Sequence, residues 1–331
     1  MLTSSRIDGT VTGPRRDAGK PENACKVSVI MPAFNESEHI VDNLLEVVDV
    51  LSGFGDAFEV ILVDDGSSDD TCSHAASLPP DRLDRVRIIR YDVNKGKGNA
   101  LIAGACVARG EYVVFLDADM DLHPRQLSLF FEIMESRRAD AVIGSKWHPL
   151  SSVSYPRIRR LYSMIYYLIV RLLFGLPVRD TQTGLKLFKM TLLRDVFPRL
   201  LVKRFAFDIE VLAVAHARGY KIADAPVTLE FKRSIPRLRL RHVWPILVDT
   251  LAIFYRLRIL RYYDQLTMLE VMRGIAGGTI RELPVNGAQG VSGRHEGHLG
   301  PTSPEATSDP TPARAGGSNE QHGEPEPVNV Q

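Results

Sequence analysis

"EYVVFLDADMDLHP", residues 111–124, decides how this chain is read. Tyr112 to Leu116 is an apolar run of strand length, and its β-branched and aromatic residues suit a buried, pleated strand. It ends in three acids spaced two apart, Asp117, Asp119 and Asp121, and "PRQLSLFFEIMES" (124–136) follows with proline at the first turn of a helical pattern. A strand, an acidic turn and a helix make the unit of an α/β sheet. Open parallel sheets bind ligands at the carboxyl ends of their strands, where these acids stand. Three neighbouring carboxylates repel one another unless a cation sits among them. Hard oxygen ligands suit Mg²⁺ or Mn²⁺, and Mg²⁺ usually takes one or two carboxylates and leaves the other positions to water and substrate phosphate. The competing reading is helix capping by Asp119 or Asp121, which accounts for one acid and not for three.

The same alternation runs on either side. "VSVIMP" (27–32), "FEVILVDD" (58–65), "RVRIIRY" (85–91) and "DAVIGS" (140–145) read as further strands. "SEHIVDNLLEVVDVL" (37–51), with Ser37 as N-cap, and "GKGNALIAGACVA" (96–108) read as helices, and Ser67 or Ser68 is placed to cap a short helix from Asp69. The expected class is α/β, a mostly parallel, Rossmann-like sheet with helices on both faces. Polar residues gather at the strand ends: Asn35 and Glu36, Asp64 and Asp65, Asp117 and Asp119, Ser145 and Lys146. Of Asp64 and Asp65, one is expected to serve the "GSSDD" turn and the other to accept hydrogen bonds from a base or ribose.

Several function classes fall away. Lys+Arg 41 against Asp+Glu 40 names no polyanionic partner, and the basic run 232–263 is too interleaved with Leu, Ile and Trp244 for a nucleic-acid strip. Cys25, Cys72 and Cys106 form neither a disulfide framework nor a zinc spacing, which suits a reducing cytoplasm. The first strand is followed by "MPAFNE", without the glycines of a dinucleotide site, and "NKGKGNA" lacks the Lys-Ser/Thr ending of a P-loop. "DADMD" is similar to the D-x-D-x-T signature of haloacid-dehalogenase-like phosphotransferases, but it lies on the fourth strand and carries Asp121 at the fifth position.

Taken in order, "VSVIMPAFNE", "VILVDDGSSDDT", "NKGKGNAL", "FLDADMDLHP", "GSKW", "DTQTGLKLFK" (180–189) and "FAFDIEVL" (205–212) resemble family 2 glycosyltransferases of the GT-A fold, and among them the polyprenyl-phosphate glycosyltransferases, the dolichyl-phosphate mannose and glucose synthases. The resemblance covers about residues 27–232. It implies transfer of one sugar, with inversion, from UDP-glucose or GDP-mannose to a polyprenyl phosphate, glucose being favoured. On that resemblance Pro32, Ala33, Asn35, Glu36, Asp65, Lys97, Asp117, Ala118 and Lys146 line the nucleotide-sugar pocket. Asp117, Asp119 and Asp121 would hold the metal, and Asp119, Asp180 and Lys186 are the catalytic candidates. Lys186 with Lys232 or Arg233 would hold the acceptor phosphate. Asp180 is read equally as a base or as the residue that orients a neighbouring cation. Lys146 stands where relatives carry arginine, and "FKRSIPRLRL" lacks the Gly-Ser-Lys common at that point. An inactive, membrane-docked scaffold of the same fold is the non-enzymatic alternative, and the intact acids argue against it.

The remaining expectations concern the ends of the chain and the membrane. Residues 1–25 and 275–331, rich in Gly, Pro and polar groups, are expected to be disordered around a domain at 26–232. The segment 233–274 is expected to form basic amphipathic helices in the headgroup layer, since 232–263 holds eight Lys/Arg against the single acid Asp249. No stretch reaches the ~18 apolar residues of a membrane span, and the N-terminus lacks the apolar core of a signal peptide. The expected location is the cytoplasmic face of a membrane, with a separate anchor protein as a further partner.

Overall fold

The computed structural model describes residues 9–12, 25–55, 57–152, 157–202, 206–229, 243–265 and 280–283. Nine strands form one sheet: β1 (Gly9–Thr12), β2 (Val27–Ala33), β3 (Phe58–Asp64), β4 (Val86–Arg90), β5 (Tyr112–Phe115), β6 (Ala141–Ser145), β7 (Lys186–Lys189), β8 (Ile222–Pro226) and β9 (Ile280–Leu283). Their order is β8-β6-β7-β5-β2-β3-β4-β1-β9. β2 pairs in parallel with both β3 and β5, β3 with β4, and β6 with β8, so the expected mostly parallel α/β sheet is present.

Burial explains the strands. All seven residues of β3 are buried, as a central strand covered on both faces requires. On β2, Val29 and Met31 point into one apolar layer and Ile30 into the other, the two-residue period of a strand. The Val29 layer is closed by α1 (Ile40–Ser52), α2 (Thr71–Ala76) and, past the short α3 (Pro80–Leu83), by α5 (Leu127–Ser136). The Ile30 layer is closed by α4 (Lys97–Val107), α6 (Arg157–Phe174), α7 (Met190–Val196), α8 (Phe207–Ala217), α9 (Val243–Phe254) and α10 (Tyr262–Gln265). Helix α4 lies so close to β2 that a Cβ on Gly104 would come within 2.4 Å of Ile30 Cγ2.

Three features differ from the sequence reading. Helix α1 begins at Ile40, not at Ser37, because Ser37 is tied elsewhere. Its N–H donates to Asp69 Oδ2 (3.1 Å) and its carbonyl oxygen lies 2.8 Å from His74 Nδ1. Strand β7 was not foreseen; it runs antiparallel between β5 and β6, with Leu187 opposite both Val114 and Val142. Third, four-residue strands occur inside both segments expected to be disordered. β1 adds antiparallel to the edge of β4, and β9 adds to β1. An open strand edge offers unpaired N–H and C=O groups to any extended segment that reaches it. The expected boundary at 232/233 and the chain beyond 283 lie outside the described residues.

Candidate active site

The sheet reverses its direction of growth at β2. From there the chain adds β3 and β4 on one side and β5 on the other, and such a switch point opens a crevice at the strand ends. A cavity of about 550 Å³ lies there. Its wall takes Pro32, Ala33, Phe34 and Glu36 from the end of β2, Asp65 from β3, and Asn94, Gly96, Lys97 and Gly98 from the loop into α4. Asp117, Ala118 and Asp119 come from the end of β5, and Gln182, Phe207 and Asp208 close the far side.

The two acids after β3 divide their work. Asp64 is fully buried, and its Oδ1 accepts the Ser67 N–H (2.9 Å), so it holds the turn. Asp65 reaches the cavity wall, where its two oxygens accept the N–H groups of Lys95 and Gly96, both at 2.8 Å. Burial raises its pKa despite those bonds. Asn35, in the left-handed region at φ 56°, braces the same loop: its Oδ1 accepts the Ser68 N–H and its own N–H donates to Ser67 Oγ, both at 2.9 Å. It stands behind the wall, whereas Glu36 is on it.

The acidic turn is not an extended strand end. Met120 is buried in a left-handed conformation at φ 56°, rare for a residue with a side chain, and its N–H donates to the Asp117 carbonyl (3.2 Å). The chain therefore turns between Asp119 and Asp121, and the Asp121 N–H donates to Asp119 Oδ1 (3.2 Å). Asp117 and Asp119 face the cavity and Asp121 is not on its wall. No three His, Cys, Asp or Glu side chains are grouped for a metal among the described residues, and of the expected trio Asp117 and Asp119 are the two on the cavity wall. The pair still fits Mg²⁺ or Mn²⁺, which take few carboxylates when phosphate and water complete the shell. A cation already stands there, since Lys97 Nζ lies 2.5 Å from Asp117 Oδ1.

The charges follow from this packing. Burial works against the Asp117 carboxylate, but the touching Lys97 ammonium more than offsets it and holds its pKa low. Burial also works against the Lys97 ammonium, and Asp117 overrides it, so the lysine's pKa is raised. Asp119 has no such partner; burial, with Asp117 and Asp121 alongside, raises it to about 6.

Of the segment 180–186, Gln182 lines the cavity. Asp180 is buried, its Oδ1 accepts the Gln182 N–H (3.0 Å), and its Oδ2 pairs with Lys146 Nζ (3.4 Å). Of its two readings, that arrangement matches the residue that orients a cation. Lys186 is 1% exposed; its ammonium pairs with Asp208 Oδ1 (2.8 Å) and bonds the Thr183 carbonyl, so it lies beneath the site with its charge committed. Lys232 and Arg233 lie outside the described residues. Gly184 must be glycine here, because a Cβ would come within 2.3 Å of Asp117 Oδ2. Gly184→Ala is expected to displace that carboxylate and lower kcat by roughly 10²-fold with little change in Tm, measured by steady-state assay and thermal unfolding.

Phe34, Asn94, Gln182 and Asp208 were not singled out from the sequence. A signal for Asp208 existed: "FDIEVLAVA" is a helix buried along its whole length, and an acid there demands a buried partner.

The switch-point cavity, with a loop carboxylate on one wall and an aspartate pair on the other, sits where open α/β sheets bind their ligands. Comparison with known proteins makes the class specific. Residues 28–197 match the model for Glycosyl transferase family 2, and the chain belongs to that family. It is 34% identical to glycosyltransferase AglD of Haloferax volcanii over 220 residues, 66% of this chain but 35% of that protein. It is 28% identical to a dolichyl-phosphate beta-glucosyltransferase of Dictyostelium discoideum over 250 residues, 66% of this chain and 76% of the relative. With the Drosophila melanogaster protein of that name it shares 34% identity over 215 residues, 61% of this chain and 66% of the relative. A similar solved structure is the Mycobacterium tuberculosis glucosyl-3-phosphoglycerate synthase in complex with Mn²⁺, UDP-glucose and phosphoglyceric acid, with a TM-score of 0.53 at 18% identity over 78% of this chain and 88% of that one. At that identity the likeness is one of fold.

Proposed function

We propose that this glycosyltransferase moves glucose from UDP-glucose to a polyprenyl phosphate of the dolichyl type, with inversion, at a membrane surface. The observation that carries the reading is the convergence of Asp117, Asp119 and Lys97 in one switch-point cavity of a family 2 chain. The names of the Dictyostelium and Drosophila relatives support glucose and the lipid acceptor.

The chemistry is the same whichever sugar is used. A phosphate oxygen of the acceptor bonds to the anomeric carbon as that carbon's bond to the diphosphate breaks, and the nucleoside diphosphate leaves with the electron pair. A lipid monophosphate has its second pKa near ~6, so at pH 7 it attacks without a general base. Mg²⁺ or Mn²⁺ held by Asp117 and Asp119 would stabilise charge on the departing diphosphate. Lys97 supplies a second positive group to that diphosphate, Asp65 orients the base, and Asp180 fixes Lys146 at the rim.

Access to a lipid has support on the outside of the molecule. Met164, Ile165, Leu168 and Leu172 are exposed along one face of α6. Val248, Leu251, Tyr255 and Ile259 are exposed along α9 and the π-turn Tyr255–Ile259 that prolongs it. The two helices touch through Tyr166 Oη and Thr250 Oγ1 (2.9 Å) and the Phe174–Phe254 ring pair. Exposed apolar stripes of this extent, with Arg171 and Arg258 beside them, suit a bilayer interface. The attachment proposed is peripheral, on the cytoplasmic face; no helix among the described residues is long and apolar enough to cross a membrane.

The test is to incubate the purified protein with polyprenyl phosphate in vesicles, Mg²⁺ or Mn²⁺, and labelled UDP-glucose or GDP-mannose. Label is expected in the lipid extract from UDP-glucose and lost with chelator. Label from GDP-mannose alone would replace the sugar assignment, and no label from either donor would favour the inactive scaffold.

A further inference from the structure

Among the described residues the ammoniums of Lys97, Lys186 and Lys146 act on Asp117, and that of Lys97 touches it. Lys186 is paired with Asp208 and Lys146 with Asp180. Lys97 Nζ stands 2.5 Å from Asp117 Oδ1, and both side chains keep access to solvent, that of Lys97 39% and that of Asp117 33% exposed. It is the first residue of α4, at the end of a flexible four-carbon stem, and it shares the cavity wall with Asp117 and Asp119.

A carboxylate oxygen in contact with an ammonium cannot also bind a divalent cation without bringing two like charges together. At that oxygen the ammonium opposes the metal, and it gives way more readily when another anion takes it. A diphosphate entering the same cavity is such an anion, and it also brings oxygen ligands for the metal.

We infer that Lys97 couples the two parts of the donor complex: in the empty protein its ammonium blocks Asp117 against a divalent cation, and a nucleoside diphosphate draws it away, so that metal and diphosphate bind tightly only together. The inference rests on the donor site proposed above and adds an order to it. It also gives the Lys97–Asp117 pair a purpose that a fixed diphosphate contact would not need. Because the coupling is a binding free energy it is reciprocal, and the metal must tighten the nucleotide by the same factor.

The experiment is Mn²⁺ binding to the full-length protein, followed by the EPR signal of free Mn²⁺, without and with saturating UDP. Wild type is expected to bind Mn²⁺ weakly alone and at least tenfold more tightly with UDP, within the usual range of about 5–150-fold for coupled sites. Lys97→Met is expected to bind Mn²⁺ alone about tenfold more tightly than wild type, and the UDP enhancement shrinks by the same factor. Lys97→Arg keeps the charge and the weak binding. Lys189→Met removes an equal charge that is paired with Asp140 Oδ1 (3.0 Å), opposite the first residue of β5 and away from the cavity wall, and leaves Mn²⁺ affinity within about twofold. If Lys97→Met gains nothing while UDP still tightens Mn²⁺ in wild type, the inference falls and the donor site stands. An equal gain in Lys189→Met would also overturn it, as a mere effect of net charge. If UDP and Mn²⁺ do not enhance each other in wild type, the donor site falls and takes the inference with it. Circular dichroism of each variant separates these results from misfolding, and Lys97→Gln repeats the test with a polar side chain.

Discussion

Asp119→Ala is expected to lower sugar transfer by roughly 10³-fold and to leave the fold intact, because in the proposed function the residue is a charge held for a metal and not for the protein. Among the described residues its carboxylate has no cation in contact, and burial beside Asp117 and Asp121 raises its pKa to about 6. Between the ordinary carboxylate range and pH 6, the folded, metal-free protein therefore binds a proton that the unfolded chain does not. That contribution to stability is present at low pH and fades as pH rises through 6. Thermal unfolding in chelator should give wild type a smaller advantage at pH 7.5 than at pH 5, and Asp119→Ala should flatten that difference. Metal affinity runs the other way. Protons compete for Asp119 below pH 6, so Mn²⁺ binding weakens there by up to about tenfold per pH unit. Full transfer by Asp119→Ala would remove this residue from the metal site. A drop in its metal-free Tm at pH 7.5 would show that the ionised carboxylate stabilises the fold after all.

Much of this site was legible because its residues sit where a parallel sheet must end its strands. Val-Ile-Leu-Val in β3 has no polar residue until Asp64, so the end of the strand and the position of Asp64 and Asp65 follow from burial alone. What the sequence left open was which of two adjacent acids faces inward, and the answer lay in contacts of long range. Asp65 is selected by Lys95 and Gly96, thirty and thirty-one residues further on. That Asp121 stands apart from Asp117 and Asp119 on the cavity wall has a local reason. A spacing of two puts side chains on one face only while the chain stays extended, and the left-handed Met120 ends that extension after Asp119. Strand β7 was hidden because its first residue is a lysine, which argues for a surface until its partner Asp208 is known. That partner is twenty-two residues away on a helix whose wholly buried course hides the usual amphipathic pattern.

That buried pair carries the other large effect. Lys186 and Asp208 have side chains only 2% and 11% exposed, and their contact at 2.8 Å neutralises two charges that water cannot reach well. Lys186→Met leaves Asp208 buried and uncompensated, which costs about 3–5 kcal/mol. In a domain of this size that lowers Tm by roughly 10 °C. Lys186→Met combined with Asp208→Asn removes both charges and should recover most of the loss, since it is the unpaired ion that is costly and not the missing attraction. The same pair of variants decides what Lys186 is for. A residue that holds the acceptor phosphate directly would leave stability nearly unchanged when replaced and would raise KM for the polyprenyl phosphate. A residue that balances Asp208 on the cavity floor would show the Tm loss in the single variant and its rescue in the double one. The 2.8 Å contact and the second bond from its ammonium to the Thr183 carbonyl favour the latter, because the lysine would have to give up both to reach a lipid phosphate.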